Sequence, residues 1–134
     1  MKTAVIYWSG TGNTEAMAKA AAEGANAELF AVSDFSGNAA DYEAFAFGCP
    51  AMGAEVLEED EFEPFFTGIE GSLSGKKVLL FGSYGWGDGE WMRNWCDRVK
   101  AAGAELIADE GFIVNEAPSD DDLAKLKELA AQLA

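Results

Sequence analysis

Apolar residues come along this chain in short unbroken runs, separated by helical patterns and glycine-rich joints. Thr3 to Trp8 (TAVIYW) is such a run, rich in β-formers, and reads as a strand buried on both faces. Asn13 to Glu23 holds helix formers throughout, with Gly24 as its stop. Ala27 to Val32 (AELFAV) is a second strand and Ala44 to Gly48 (AFAFG) a third; between them Ser33 to Asp41 is polar, with a short helix at best. Glu63 to Gly68 reads as a short helix, and Lys76 to Gly82 (KKVLLFG) is the clearest strand of all. Glu90 to Ala102 is a helix with Trp91, Trp95 and Val99 along one stripe. Ala104 to Ala108 and Phe112 to Asn115 read as strand pieces interrupted by Asp109-Glu110-Gly111. Ser119 caps a last helix, with Asp120, Asp121 and Asp122 at its positive end. Leu123, Leu126, Leu129 and Leu133 give that helix its apolar stripe.

Strands alternating with helices predict βαβ units, a parallel sheet and right-handed crossovers. Five strands and about four helices use up residues 1–134, so one α/β domain is expected, with no linker or repeat. Ligands of such sheets bind outside the carboxyl ends of the strands. The segments that follow the strands are therefore where function is sought.

Composition narrows the chemistry. The chain carries 24 acids against 9 bases, a net charge of −15. Such a surface repels nucleic acid and anionic membranes and attracts partners with basic patches. There is no histidine, hence neither the commonest general base nor the commonest metal ligand. Cys49 and Cys96 stand alone, which argues against zinc, iron–sulfur or disulfide frameworks and suits a reducing cytoplasm. No signal peptide or membrane-spanning run is read, and a cytoplasmic protein is expected.

Three loops then stand out. Ser9-Gly10-Thr11-Gly12-Asn13-Thr14 joins the first strand to a helix start. Its glycines permit a tight turn, and the helix amides and dipole favour an anion. It lacks Lys and Arg and is neither a P-loop nor G-x-G-x-x-G, which suits a terminal phosphate held by amides and hydroxyls. The plain alternative is a glycine turn with Asn13 or Thr11 as the N-cap. The second loop is Cys49-Pro50-Ala51-Met52-Gly53-Ala54-Glu55. The third, Gly82-Ser83-Tyr84-Gly85-Trp86-Gly87-Asp88-Gly89, sets aromatics among glycines. Trp86 could simply cover the core edge and Met52 fill a gap; together across a cleft they make a soft slot for a planar ring.

The segments SGTGNT (9–14), CPAMGAEVLEEDEFEPF (49–65) and FGSYGWGDGEWM (81–92) resemble the short-chain flavodoxins of anaerobic bacteria, over residues 1 to about 118. The resemblance implies a flavodoxin-like fold of strand order 2-1-3-4-5 and one non-covalent FMN. Ser9, Thr11, Asn13 and Thr14 would hold the phosphate, helped by the amides of residues 10–14. Met52 and Trp86 would sandwich the isoalloxazine, and Glu55 would accept from N3–H. Backbone groups of Gly53, Gly85, Gly87 and Asp88 would meet the ring's polar edge. Trp8 and Asn115 would lie nearby, as would Ala51, Ser83 and Tyr84. Pro50 and Ala54 depart from the family's usual polar residues, and Pro50 offers neither an N–H nor a hydroxyl.

The function so implied is a low-potential one-electron carrier, not an enzyme, cycling its flavin mainly between semiquinone and hydroquinone. Gly53 can reach positive φ at little cost, so its carbonyl can swing to a protonated N5. Glu55, Glu58, Glu59, Asp60, Glu61 and Glu63 oppose the anionic hydroquinone. At about 10 Å each contributes roughly 0.4–1.7 kcal/mol before screening. The expected partners are basic-patch redox proteins, oxidoreductases otherwise served by ferredoxin, and the expected state is a monomer. A nicotinamide-dependent flavin enzyme fits less well, since no bases stand ready for the second cofactor's phosphates. A receiver-type signalling module lacks its strand-end Asp and opposing Lys.

Overall fold

The computed structural model describes residues 2–53, 55–85 and 87–134. Five parallel strands form one sheet: β1 Thr3–Tyr7, β2 Glu28–Ala31, β3 Ala44–Gly48, β4 Lys77–Tyr84 and β5 Glu105–Asn115. Their order is β2-β1-β3-β4-β5, as expected. The helices are α1 Asn13–Ala25, α2 Phe62–Ile69, α3 Glu90–Ala101 and α4 Asp120–Ala130. The polar stretch after β2 holds two single 3₁₀ turns.

Alternation along the strands decides which helix lies where. Ala4, Ile6, Phe45, Phe47, Val78 and Leu80 face α2 and α3, where Phe62, Phe66, Trp91 and Trp95 complete an aromatic core. Val5, Ala44, Ala46, Leu79 and Phe81 face Met17, Ala18 and Ala21 of α1 and Leu126 of α4. The small residues on this side bring α1 close. A Cβ on Gly24 would stand 2.3 Å from the Lys127 carbonyl oxygen, so α1 and α4 touch by backbone. Of the expected leucine stripe, Leu126 and Leu133 are buried and Leu123 and Leu129 partly so.

One expectation needs correcting. The strand pieces around Asp109–Gly111 are a single strand, β5, with a bulge inside it. Ala108 and Gly111 take positive φ (60° and 76°), and the register with β4 shifts between Leu79 and Phe81. The extra residues bend this edge strand without ending it.

Arg98 ties α3 to α2. Its guanidinium donates to both carboxylate oxygens of Glu63 (2.8 and 3.0 Å) and of Glu70 (3.0 and 3.0 Å). It also lies 5.0 Å over the Phe66 ring. Its hydrogen bonds hold Glu63 below the ordinary carboxylate value against the opposing effect of burial. About a third of the cluster is exposed, so solvent screens and weakens it. Arg98→Ala should still cost about 1–3 kcal/mol of stability, measured by urea unfolding, by leaving two facing carboxylates without their cation.

Candidate functional site

The carboxyl ends of β1, β3 and β4 open into a slot of about 370 Å³. Trp8, Gly10, Thr11 and Asn13 line one end; Pro50, Ala51, Met52, Tyr84 and Gly85 line the rest. Ser83, itself buried, also lines it. Among the described residues that line it there is no lysine or arginine. That size suits a medium-sized organic ligand.

The first loop is shaped by the start of α1. The N-cap is Gly12, in the left-handed region (φ 95°), with no side-chain cap; neither Asn13 nor Thr11 caps the helix, as the plain alternative would require. The Ser9 hydroxyl oxygen instead accepts from the amides of Gly12 (3.1 Å) and Glu15 (3.2 Å). Of the four donors a helix start leaves over, those of Asn13 and Thr14 remain for another acceptor. The Thr14 hydroxyl is buried and paired with Ser83 Oγ at 3.1 Å, which pins the loop to β4. Thr11 and Gly12 are exposed, and Asn13 is half-buried.

Pairing between β3 and β4 continues past Gly48. The Cys49 amide donates to Phe81 and the Ala51 amide to Ser83. Pro50 thus sits in an extended stretch where its missing N–H breaks no pairing described here. Beyond it the chain folds back on itself. Met52 and Val56 exchange two amide–carbonyl hydrogen bonds (2.9 and 3.1 Å), closing a turn in which Gly53 and Glu55 have φ of 42° and 56°. Ala54 and Trp86 lie outside the described residues, so the expected ring sandwich rests here on Met52 alone.

Glu55 turns towards α3. Its Oε1 accepts from the amides of Gly89 (3.1 Å) and Glu90 (3.2 Å), leaving Oε2 for a further donor. Asp88 pairs with exposed Arg93 (3.1 Å). The Asn115 amide group donates to the Tyr84 carbonyl (3.3 Å), supporting the turn beside the slot. Sequence reasoning missed Glu116, which lines the slot with φ 59° while its amide donates to that same carbonyl. Nothing in a lone exposed glutamate after a strand marks it from sequence.

The flavodoxin family model matches residues 5–129. The chain belongs to the flavodoxin family. Relatives agree: the flavodoxin of Megasphaera elsdenii is 48% identical over 136 residues, covering 97% of this chain and 96% of that one. The Clostridium beijerinckii flavodoxin is 46% identical over 118 residues, covering 84% and 86%. The solution structure of two-electron reduced M. elsdenii flavodoxin superposes with a TM-score of 0.81 at 46% identity, covering 97% and 98% of the two chains. Flavodoxins are FMN-binding electron carriers without a substrate to turn over, and that is the function of this chain. The donor set fits the cofactor: two unclaimed helix amides and neutral side chains at one end suit a phosphate, and a largely apolar slot beyond them suits a ring.

Proposed function

We propose that FMN lies along this slot with its phosphate at the start of α1 and its ring against Met52 and Gly85. One contrast supports this most directly. At α2 a carboxylate, Glu58, takes the first amides; at α3 Glu55 does; at α4 Ser119 and Asp122 form a reciprocal cap. Only at α1, among the four described helices, does no carboxylate accept an amide at the helix start: the Ser9 hydroxyl takes two, and Glu15, the acid of that turn, accepts instead from Tyr7 Oη (3.1 Å).

When bound, FMN supplies two successive one-electron steps. The chain's own groups set their spacing. Ser9 holds the loop in shape, and the Asn13 and Thr14 amides donate to the phosphate, with Thr11 and Asn13 side chains beside them. Thr14 and Ser83 form the floor. Trp8, Met52 and Tyr84 exclude water from the ring, with Trp86 as the second plate. Gly53 is exposed, and a Cβ there would meet nothing. Glycine accepts either sign of φ at little cost, which lets its carbonyl turn to a ring N–H. Glu58, Glu59 and Asp60 border the pocket shared with Met52 and Gly53, where negative charge disfavours a second added electron.

The same acids form the docking face. Lys2, Lys76 and Lys77 stand at the amino ends of β1 and β4, at the opposite end of the sheet. The acidic segment beside Met52 and Gly53 is the part that meets basic-patch redox partners. As a carrier of this kind the chain acts as a monomer in the cytoplasm. Among the described residues no helix is long and apolar enough to cross a membrane.

Titrating the flavin-free chain with FMN should quench flavin fluorescence stoichiometrically, and NADH or NADPH alone should leave the bound flavin oxidised. Rapid bleaching by either nucleotide would sink the carrier reading. Reduction of a basic acceptor protein should slow about tenfold or more between low and high salt; a rate indifferent to salt would remove the docking face.

A further inference from the structure

Glu55 does more in this fold than wait for a ligand. It sits in a turn closed by the Met52–Val56 bonds, with its own backbone left-handed (φ 56°). From there one oxygen reaches across to the start of α3 and takes the amides of Gly89 and Glu90. The approach is close. A Cβ on Gly87 would stand 2.5 Å from the carboxylate, so a side chain there would push it aside. Gly87 and Gly89 hold φ of 90° and 92°, which turns the chain so that both amides face one point. Residues 34 and 35 apart are thereby joined, one from the loop after β3 and the other from the loop after β4.

We propose that Glu55 is a positioning residue that latches these two loops together and so fixes the width of the ring slot. Oε1 serves the latch and Oε2 remains for a ring N–H, so the two duties do not compete. The latch binds the Met52 turn to the first residues of α3, while α3 itself is anchored by buried Trp91, whose Nε1 donates to the Cys49 carbonyl at 3.1 Å. A displacement of the turn is thus resisted from both sides. The effect on flavin affinity rests on the FMN reading above; the latch itself does not.

The test uses the full chain, with and without FMN, as wild type, E55A, E55Q and G89A. In E55A without flavin the Gly89 and Glu90 amide protons should move upfield, and both should lose roughly tenfold in exchange protection. E55Q keeps an acceptor oxygen and should hold both resonances near their wild-type positions. G89A strains the cap but leaves the carboxylate and every expected ring contact in place. It should weaken FMN binding about fivefold or more. Unmoved amide resonances in E55A, or equal displacement in E55Q and E55A, would overturn the latch; wild-type affinity in G89A would overturn its hold on the width of the slot. A wild-type chain that binds no FMN would instead sink the flavin reading, and the flavin-free spectra would still decide the hydrogen bonds.

Discussion

Glu58→Ala should cost about 3 kcal/mol of stability and lower the melting temperature by roughly 10 °C. The Glu58 side chain is buried, and its carboxylate accepts three amides: Asp60 (2.9 Å), Glu61 (2.8 Å) and Phe62 (2.8 Å). Its own amide donates to Cys49 Sγ (3.3 Å), and its carbonyl accepts from Glu63 (2.8 Å). Alanine would strand three donors at the start of α2 and loosen the acidic segment that borders Met52. Glu58→Gln should cost less, because its oxygen keeps Glu61 and Phe62 while its NH₂ group opposes the Asp60 amide. Burial pushes the Glu58 carboxyl up, but the three amides outweigh it and hold it below its ordinary value of 4.5. Its contribution is therefore complete above that value and is lost as pH falls through the lower, folded one. Acid also relieves the repulsion of a −15 chain, which acts the other way. Comparing wild type with Glu58→Gln cancels that general effect. Their stability difference, followed by urea unfolding, should narrow below pH 4.5; a constant difference would remove Glu58 as the titrating group.

Much of the fold is legible in the residue pattern because a parallel sheet buried on both faces demands unbroken apolar runs. β1, β3 and β4 are such runs, and the order 2-1-3-4-5 follows from the resemblance. β5 is an edge strand, so its polar Asp109-Glu110-Gly111 could be tolerated as a bulge, and composition cannot tell a bulge from a break. The slot is legible as a set of glycines, hydroxyls and aromatics after three strand ends. What each polar group does is not. Ser9 and Thr14 look alike as donors, yet one hydroxyl accepts backbone amides and the other is buried against Ser83. Glu55 and Glu58 are three residues apart in one acidic run, but they serve different helices. Direction of this kind depends on which helix start comes within reach, and that is a property of the assembled sheet.

Gly12→Val should weaken FMN binding by roughly a hundredfold or more. A Cβ at residue 12 would meet nothing within 4 Å, so the effect is conformational and not a clash. Gly12 caps α1 at φ 95° and ψ −10°, whereas Ser119 caps α4 with ordinary extended backbone at φ −84° and ψ 170°. A β-branched residue held at φ 95° costs about 1–3 kcal/mol, so the valine variant will relax towards an ordinary cap. That movement carries the Gly12 amide away from Ser9 and turns the Asn13 and Thr14 amides off their common target. Each charge-assisted bond lost from a phosphate is worth about 1.5–3 kcal/mol, and two are at stake. Riboflavin, which has the ring but no phosphate, should lose far less affinity than FMN in the same variant. Gly12→Asn should fall between, since asparagine tolerates left-handed backbone. The decisive quantity is the ratio of FMN to riboflavin affinity, measured by fluorescence quenching in wild type and both variants. A ratio unchanged by Gly12→Val would place the phosphate somewhere other than the start of α1.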